Sequence, residues 1–465
     1  KRFSNELGDV AYQAGLFSIT INGKEVAKKP LFDAKYNITT LDSFMHNMFK
    51  IPITEIFKEK RHYYIPFARI FTSGIIYDEA HLFISEKIMW TSFLTSLEIL
   101  NKMGNPIIIL SATLTEPIRR QIKGKINDTI FIKLGSRDEE YNDKILVHDD
   151  DFENTIGKHR YKLRFINEAE IVNETIGLIK SDKKVLIIID DIEKVINLYK
   201  ELLDKGINVG IIHGRLTRRD RNQVMNNLDQ YKVLVGTRAI EAGVDKSFDA
   251  LITVPINAAS LIQRIGRVCR YGKHDKCEGE LLLICNENSN LELCKFLRKY
   301  HDKIYWRLPY DSDGFISYTN LLDKFASEEI DIDYIHEQNL HQLARGYVQQ
   351  DIVDSIFSKN NYSLVRDALI EVYVRGVDDV KNANIKDVLL DSYTIDLDNL
   401  PDLATCIEAI GYVDIYNDTV SISKNFDWSG LVKSDLYRQK AFRSFVKEFK
   451  ASPLVIIKPS CYRGI

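Results

Sequence analysis

Short apolar runs at residues 36–39, 74–77 and 106–110 have strand character, and helical stretches separate them. That alternation predicts a parallel sheet buried on both faces. Ligands bind such sheets at the carboxyl edge of the strands. Each run here ends in polar residues: Thr39-Thr40-Leu41-Asp42, then Asp78-Glu79-Ala80-His81, then Ser111-Ala112-Thr113.

The alternation returns more clearly from residue 167 to 290. Residues 184–189, 209–212, 233–235, 250–254 and 280–284 read as strands. The helix after the first of these stops at Gly206, a natural C-cap. Thr217, with Asp220 three residues on, opens another helix with a capping-box-like pair. Between the two regions, residues 136–166 are charged and weakly patterned and read as a linker plus the entry to the next domain. Residues 291–465 lose the alternation, with amphipathic helical stretches at 291–300 and 362–374 and an acidic, irregular region near 391–402. The expected fold class is α/β, with doubly wound parallel-sheet domains at 1–135 and 167–290 and a C-terminal α+β accessory region at 291–465.

Composition adds limits. Of the 465 residues, 45% are hydrophobic and 28% charged, as in a globular protein with a full core. The net charge of −3 does not itself advertise nucleic-acid binding, yet basic residues cluster at Arg119-Arg120, Arg218-Arg219-Arg221 and Arg264 to Lys273. A positive groove on a near-neutral body is compatible with that pattern. Six cysteines in so long a chain do not suggest a disulfide framework, which favours a reducing cytoplasm. No apolar run is long enough to span a bilayer and no secretory signal opens the chain, so no membrane partner is expected. The chain opens at Lys1, inside what reads as a helix, so a preceding segment is expected.

Asp78-Glu79-Ala80-His81 places two adjacent carboxylates after an apolar strand, an arrangement suited to nucleotide hydrolysis. One carboxylate holds Mg²⁺ through its shell and the other orients or deprotonates water. An acid-rich helix start would look the same. Ser111 and Thr113 offer hydroxyls at the end of the neighbouring strand, where they could relay the state of a nucleotide; an ordinary turn would also use them. From Val233 to Tyr271 comes a richer stretch, with Glu241, Gly243 and Asp245 in a turn and Gln263, Arg264, Gly266, Arg267 and Arg270 after it. On a helix Gln263, Arg267 and Arg270 fall at i, i+4 and i+7, on one face. Paired guanidinium groups grip phosphate oxygens bidentately.

In this order and at these distances, DEAH, SAT, GTRAIEAGVD and QRIGRVCR resemble motifs II, III, V and VI of superfamily 2 helicases. The resemblance implies two RecA-like domains with ATP in the cleft between them. Asp78 and Glu79 would be the Mg²⁺ and water residues, with the ion held through water at Asp78, and His81 would couple to the cleft. Gly243 and Asp245 would approach the nucleotide from the second domain. Arg267 and Arg270 would be arginine fingers supplied in cis, with Gln263 nearby. The segments at 37–49, 211–221, 241–253 and 260–273 also resemble the CRISPR-associated signature helicase of type I interference systems. That family implies 3′→5′ translocation on single-stranded DNA, recruitment by a crRNA-guided surveillance complex, and delivery of DNA to an HD nuclease. The likeness covers residues 1 to about 285, with Cys269 where relatives usually carry glycine.

A translocating motor grips the DNA backbone rather than base edges. Thr39 and Thr40 in the first domain, and Arg215, Thr237 and Arg238 in the second, sit at strand ends where such contacts would form. Each could equally serve as a turn or cap residue. Two departures from the family stand out. No GxxxxGK[ST] occurs in the 465 residues, so the sequence as written should bind ATP poorly; the family carries that motif upstream of a segment like residues 1–15. No HD nuclease pattern is visible either, since His148-Asp149 and His301-Asp302 are isolated pairs. Cys269, Cys277, Cys285 and Cys294, with His274 nearby, are spaced too widely to favour zinc. Two alternatives stay open: another superfamily 2 DEAH-type RNA or DNA-repair helicase, and a nucleotide-inactive nucleic-acid-binding scaffold.

Overall fold

The computed structural model describes residues 9–13, 19–21, 24–26, 29, 31–51, 64–126, 128–136, 144–241, 244–270, 278–286, 289–326, 330–346, 348–349, 351–353, 355–356, 363–366, 368–381, 383–414, 419–423, 426–449 and 451–464. Lys1, and with it the expected helix at the start of the chain, lies outside them.

The first group of strands is wholly parallel apart from one hairpin. Val10–Gln13 pairs with Tyr36–Thr39, Ile75–Tyr77 with Ile107–Ile109, and Phe131–Leu134 with Lys144–Val147. Ile75–Tyr77 and Ile107–Ile109 pack on a core built around the Lys87–Lys102 helix, whose Trp90, Phe93, Leu94, Leu97 and Leu100 are buried. Tyr77, the residue before Asp78, drives its ring edge-on against Phe93 at 5.0 Å and bonds Ser96 Oγ at 2.8 Å. That anchorage fixes the strand end from which the acidic loop departs.

Six parallel strands make the second sheet, in the order Val209–Ile212, Val233–Gly236, Val185–Ile188, Ala250–Thr253, Gly279–Ile284 and Tyr161–Ile166. The four strands from Val209–Ile212 to Ala250–Thr253 are buried at every position, as expected of a sheet covered on both faces. Gly206 follows the Ile192–Asp204 helix with φ +73, and Thr217 caps the Arg218–Asn226 helix by accepting from the Asp220 N–H at 3.1 Å.

Three expectations need correction. Residues 136–166 are not simply a linker, because Lys144–Val147 and Tyr161–Ile166 are strands and the latter closes the second sheet. The amphipathic run at 362–374 holds a strand, Leu369–Tyr373, rather than a helix. The acidic region near 391–402 is ordered into the strand Ser392–Asp396 and a 3₁₀ turn, Leu397–Leu403. Both belong to a five-stranded mixed C-terminal sheet that also contains Pro453–Ile457, Ile407–Asp414 and Thr419–Ile422, packed on the Asp435–Phe449 helix.

Between the second sheet and the C-terminal one, the chain returns to the first. Leu340, Leu343, Ile352, Val353, Ile356, Leu364 and Val365 are all buried in the first core. His336 Nε2 meets the buried Ser92 hydroxyl at 2.8 Å, and Arg366 reaches Asp42 through Nε at 3.2 Å. Among the described residues, no helix is long and apolar enough to cross a membrane.

The cysteine reading also changes. Cys285 pairs with Cys294 and Cys406 with Cys461 as disulfides, and Cys269 is disulfide-bonded too. The step from cysteine count to a reducing compartment therefore loses its basis.

Candidate functional site

Asp78 and Glu79 leave the carboxyl end of Ile75–Tyr77. Glu79 adopts a left-handed backbone, φ +51, a conformation with a steric cost for a residue bearing a Cβ. The loop is held against its neighbour by two backbone bonds, Leu110 N–H to Tyr77 O at 2.8 Å and Ala80 N–H to Leu110 O at 3.0 Å. Asp78 Oδ1 accepts the Glu79 N–H at 3.0 Å. The Glu79 side chain remains 57% exposed, open to solvent and to any ligand. His81 Nδ1 lies 3.3 Å from Glu79 Oε2 and 3.2 Å from Ser111 Oγ, so one ring nitrogen touches both the acidic loop and the hydroxyl loop. Burial pushes the His81 imidazole below its ordinary value, against the opposing pull of Glu79 and Asp78. Ser111 Oγ also accepts the Thr113 N–H at 3.3 Å.

On the other side, the Ala258–Ile265 helix is capped by Asn257, whose side chain accepts the Ser260 N–H at 2.8 Å. Gln263 donates from this helix to Thr113 Oγ1 at 3.2 Å, which joins the second sheet's region to the first. Gly266 ends the helix, and Val268 forms a parallel bridge with Phe248. The expectation that Gln263, Arg267 and Arg270 share one helical face is therefore wrong: Arg267 and Arg270 lie beyond the helix, in a turn.

Arg267 donates to Val244 O at 2.7 Å and to Glu241 O at 2.5 Å. Burial lowers its guanidinium below the usual range and Arg270 adds repulsion, while Asp245, Glu79 and Glu241 act in the opposite sense. Glu79, from the first region, is thus near enough to Arg267 for its charge to be felt there. Arg270 Nη2 pairs with Asp245 Oδ1 at 3.2 Å. Gly243 lies outside the described residues.

Arg264, to which the sequence reading gave no role, is the most heavily engaged side chain here. Only 1% exposed, it donates to Glu241 Oε1 at 2.6 Å, Asp190 Oδ2 at 2.6 Å, Thr253 Oγ1 at 2.8 Å and Val254 O at 3.2 Å. It ties the Glu241 turn, whose carbonyl accepts from Arg267, to the ends of two central strands. The signal was present in the sequence as an arginine among apolar helix positions between Ile262 and Ile265.

The residues expected at the nucleic acid divide. Thr39 Oγ1 donates to Gln13 O at 2.6 Å, and Thr40 caps the Leu41–Met48 helix. Thr237 Oγ1 accepts the Ala239 N–H at 3.4 Å, and the Arg238 N–H bonds Asp190 Oδ1 at 3.1 Å. Arg215 follows Val209–Ile212 and pairs with Asp402 of the C-terminal sheet region at 3.1 Å. His213, two residues earlier, accepts the Arg215 N–H on Nδ1 at 3.2 Å; burial, aided by Arg215 and Arg221, pushes its imidazole down to about 4.

With this geometry in place, likeness to known proteins can be weighed. The family described as CRISPR-associated nuclease/helicase Cas3, C-terminal, matches residues 181–273, the segment carrying Arg215, Glu241 and Arg267. The CRISPR-associated nuclease/helicase Cas3 of Methanothermobacter thermautotrophicus is 26% identical over 230 residues, 47% of this chain and 26% of the relative. This chain resembles a Cas3-type superfamily 2 helicase. The mouse probable ATP-dependent RNA helicase DDX52 is also 26% identical, over 178 residues, 36% of this chain and 27% of the relative. In fold, the crystal structure of T. fusca Cas3-AMPPNP superposes with a TM-score of 0.57 at 14% identity, over 97% of this chain and 58% of that one. The Cas3-like chain thus spans about a quarter of the length of these curated relatives.

Proposed function

We propose that this chain forms most of an ATP-driven, 3′→5′ single-stranded DNA translocase, in which two RecA-like domains, near 1–135 and 167–290, close on a nucleotide. Strand Tyr161–Ile166 extends the second unit into what the sequence reads as linker. The observation that carries the reading is the Gln263–Thr113 bond across the two regions, which brings the arginine turn beside the loops that follow the first region's strands.

Two exposed carboxylates side by side at Asp78 and Glu79 are hard oxygen donors that fit Mg²⁺. Bound there through water at Asp78, the ion would neutralise charge on the β- and γ-phosphates of ATP. Glu79 would orient and accept a proton from the attacking water. Arg267 and Arg270, released from the carbonyls and from Asp245, would turn to the developing charge on the γ-phosphoryl oxygens; such a finger is worth ~10³–10⁵ in rate. Asp245 and Gly243 would line the nucleotide from the second domain. His81, Ser111, Thr113 and Gln263 form a continuous chain of contacts through which the acidic loop and the arginine turn would move together. Only the phosphate-cradling GxxxxGK[ST] nest has no counterpart in these residues.

Thr39, Thr40, Arg215, Thr237 and Arg238 would meet the DNA backbone at the carboxyl edges of the two sheets. By analogy with the Cas3 relatives, the crRNA-guided surveillance complex would recruit the motor, and an HD nuclease in another segment or chain would cut the unwound strand. The test is nucleotide hydrolysis by the full-length gene product with single-stranded DNA or RNA added, together with unwinding polarity. DNA stimulation with 3′→5′ unwinding supports the proposal; stimulation by RNA alone favours an RNA helicase, in keeping with the DDX52 likeness.

A further inference from the structure

The C-terminal sheet is attached to the rest of the molecule in two unlike ways. Residues 330–365, which lead into it, are welded to the first core by seven buried apolar side chains. Against the second region the contact is polar: among the described residues, no apolar cluster contains both the Arg218–Asn226 helix and the C-terminal sheet. Instead Arg218 forks onto Glu371 at 2.5 and 2.7 Å, Arg219 reaches Asp391 at 2.7 Å and Asp387 at 3.2 Å, and Arg215 reaches Asp402 at 3.1 Å. Tyr462 adds a bond from its hydroxyl to Asp220 at 2.5 Å and accepts the Thr217 N–H at 2.9 Å.

Arg218 and Arg219 occupy the first two positions of their helix, where the helix dipole disfavours positive charge. With Arg215 just before them, they make a basic surface that needs an anionic partner. It stands at the carboxyl edge of Val209–Ile212, where parallel sheets bind ligands. The pairs differ in strength. Arg218–Glu371 and Arg219–Asp391 are both bidentate, and Glu371 and Asp391 are 23% and 13% exposed, whereas Arg215–Asp402 is a single bond between groups 34% and 58% exposed. An exposed ion pair is weak and salt-sensitive, so another anion can replace it.

We infer that Asp402, in the 3₁₀ turn that follows Ser392–Asp396, stands in for a nucleic-acid phosphate on Arg215 and is displaced when a single strand binds. The inference rests on the nucleic-acid reading above and deepens it. Arg218–Glu371, Arg219–Asp391 and the Tyr462 contacts hold the module in place, while the outer Arg215–Asp402 pair exchanges. Nucleic acid must therefore compete with an internal acid for Arg215.

Fluorescence anisotropy with a labelled oligodeoxythymidine tests this on the whole chain. Asp402→Asn should tighten binding about three- to tenfold and steepen the salt dependence by about one unit, for the one arginine it frees. Arg215→Ala placed on Asp402→Asn should cancel the gain. In the wild type, the oligomer should raise amide exchange in 392–403, a readout that stands even if a variant folds poorly. Binding by the wild type with no gain in Asp402→Asn and no change in exchange overturns the inference and leaves the nucleic-acid reading intact. No binding by any of them overturns both.

Discussion

Gln263 donates its side-chain amide to the Thr113 hydroxyl at 3.2 Å, and the two residues are 150 positions apart in the chain. Thr113 follows the strand next to the one that leads into Asp78 and Glu79, and Gln263 lies on the helix that ends just before Arg267. Whatever tilts one region relative to the other must lengthen or break this bond. It is neutral and single, so its net worth is about 0.5–1.5 kcal/mol, enough to report on closure without locking it.

Gln263→Ala is accordingly expected to slow DNA-stimulated ATP turnover about two- to tenfold while leaving the Kd for single-stranded DNA nearly unchanged. Steady-state kinetics beside anisotropy would separate the two effects.

Arg264 makes a larger wager on stability. Truncation to Ala leaves Asp190 and Glu241 without their shared guanidinium in a site that is almost fully enclosed. A loss of about 3–5 kcal/mol is expected, read from the denaturant midpoint. Arg264→Lys should recover only part, because one ammonium cannot reach both carboxylates, the Thr253 hydroxyl and the Val254 carbonyl.

His213 predicts a pH dependence. Its folded value is about 4 and its unfolded value is the ordinary 6.5, so the unfolded chain takes up the proton first. Its contribution is fully present above pH 6.5, is lost as pH falls from 6.5 to 4, and levels below that. The loss amounts to about 3 kcal/mol. His213→Asn should flatten that window in a series of denaturation curves, and an unchanged slope would refute the assignment.

The disulfide between Cys406 and Cys461 closes a loop across 55 residues of the C-terminal region. Replacing both cysteines by serine should cost about 2–4 kcal/mol. Thiol titration of the unfolded, unreduced protein is expected to find neither cysteine free.

Much of the fold was legible because the central strands are unmixed apolar runs that stop at glycine or a polar residue. Val209–Ile212 and Tyr36–Thr39 were read to the residue, and the acidic and hydroxyl loops fell where strand ends placed them. Tyr161–Ile166 escaped because Lys162 and Arg164 interrupt it, as charges on an edge strand often do. Leu369–Tyr373 was taken for helix because so short an apolar run fits either period. The arginine pair was misdrawn for a local reason: Gly266 stops the helix, and a bridge to Phe248 then sets the path of the chain. The acids that meet Arg215 and Arg218 lie 187 and 153 residues away, a pairing that no local pattern announces.

The central claim is that Glu79 and Arg267, from opposite regions, act on the same phosphate. Its most direct test is single-strand-DNA-stimulated ATP hydrolysis by the full-length gene product carrying Arg267→Ala, with DNA affinity measured in parallel. The account predicts that turnover falls by about 10³ or more and that the Kd for DNA stays within a few-fold of wild type. Turnover at the wild-type rate would contradict it.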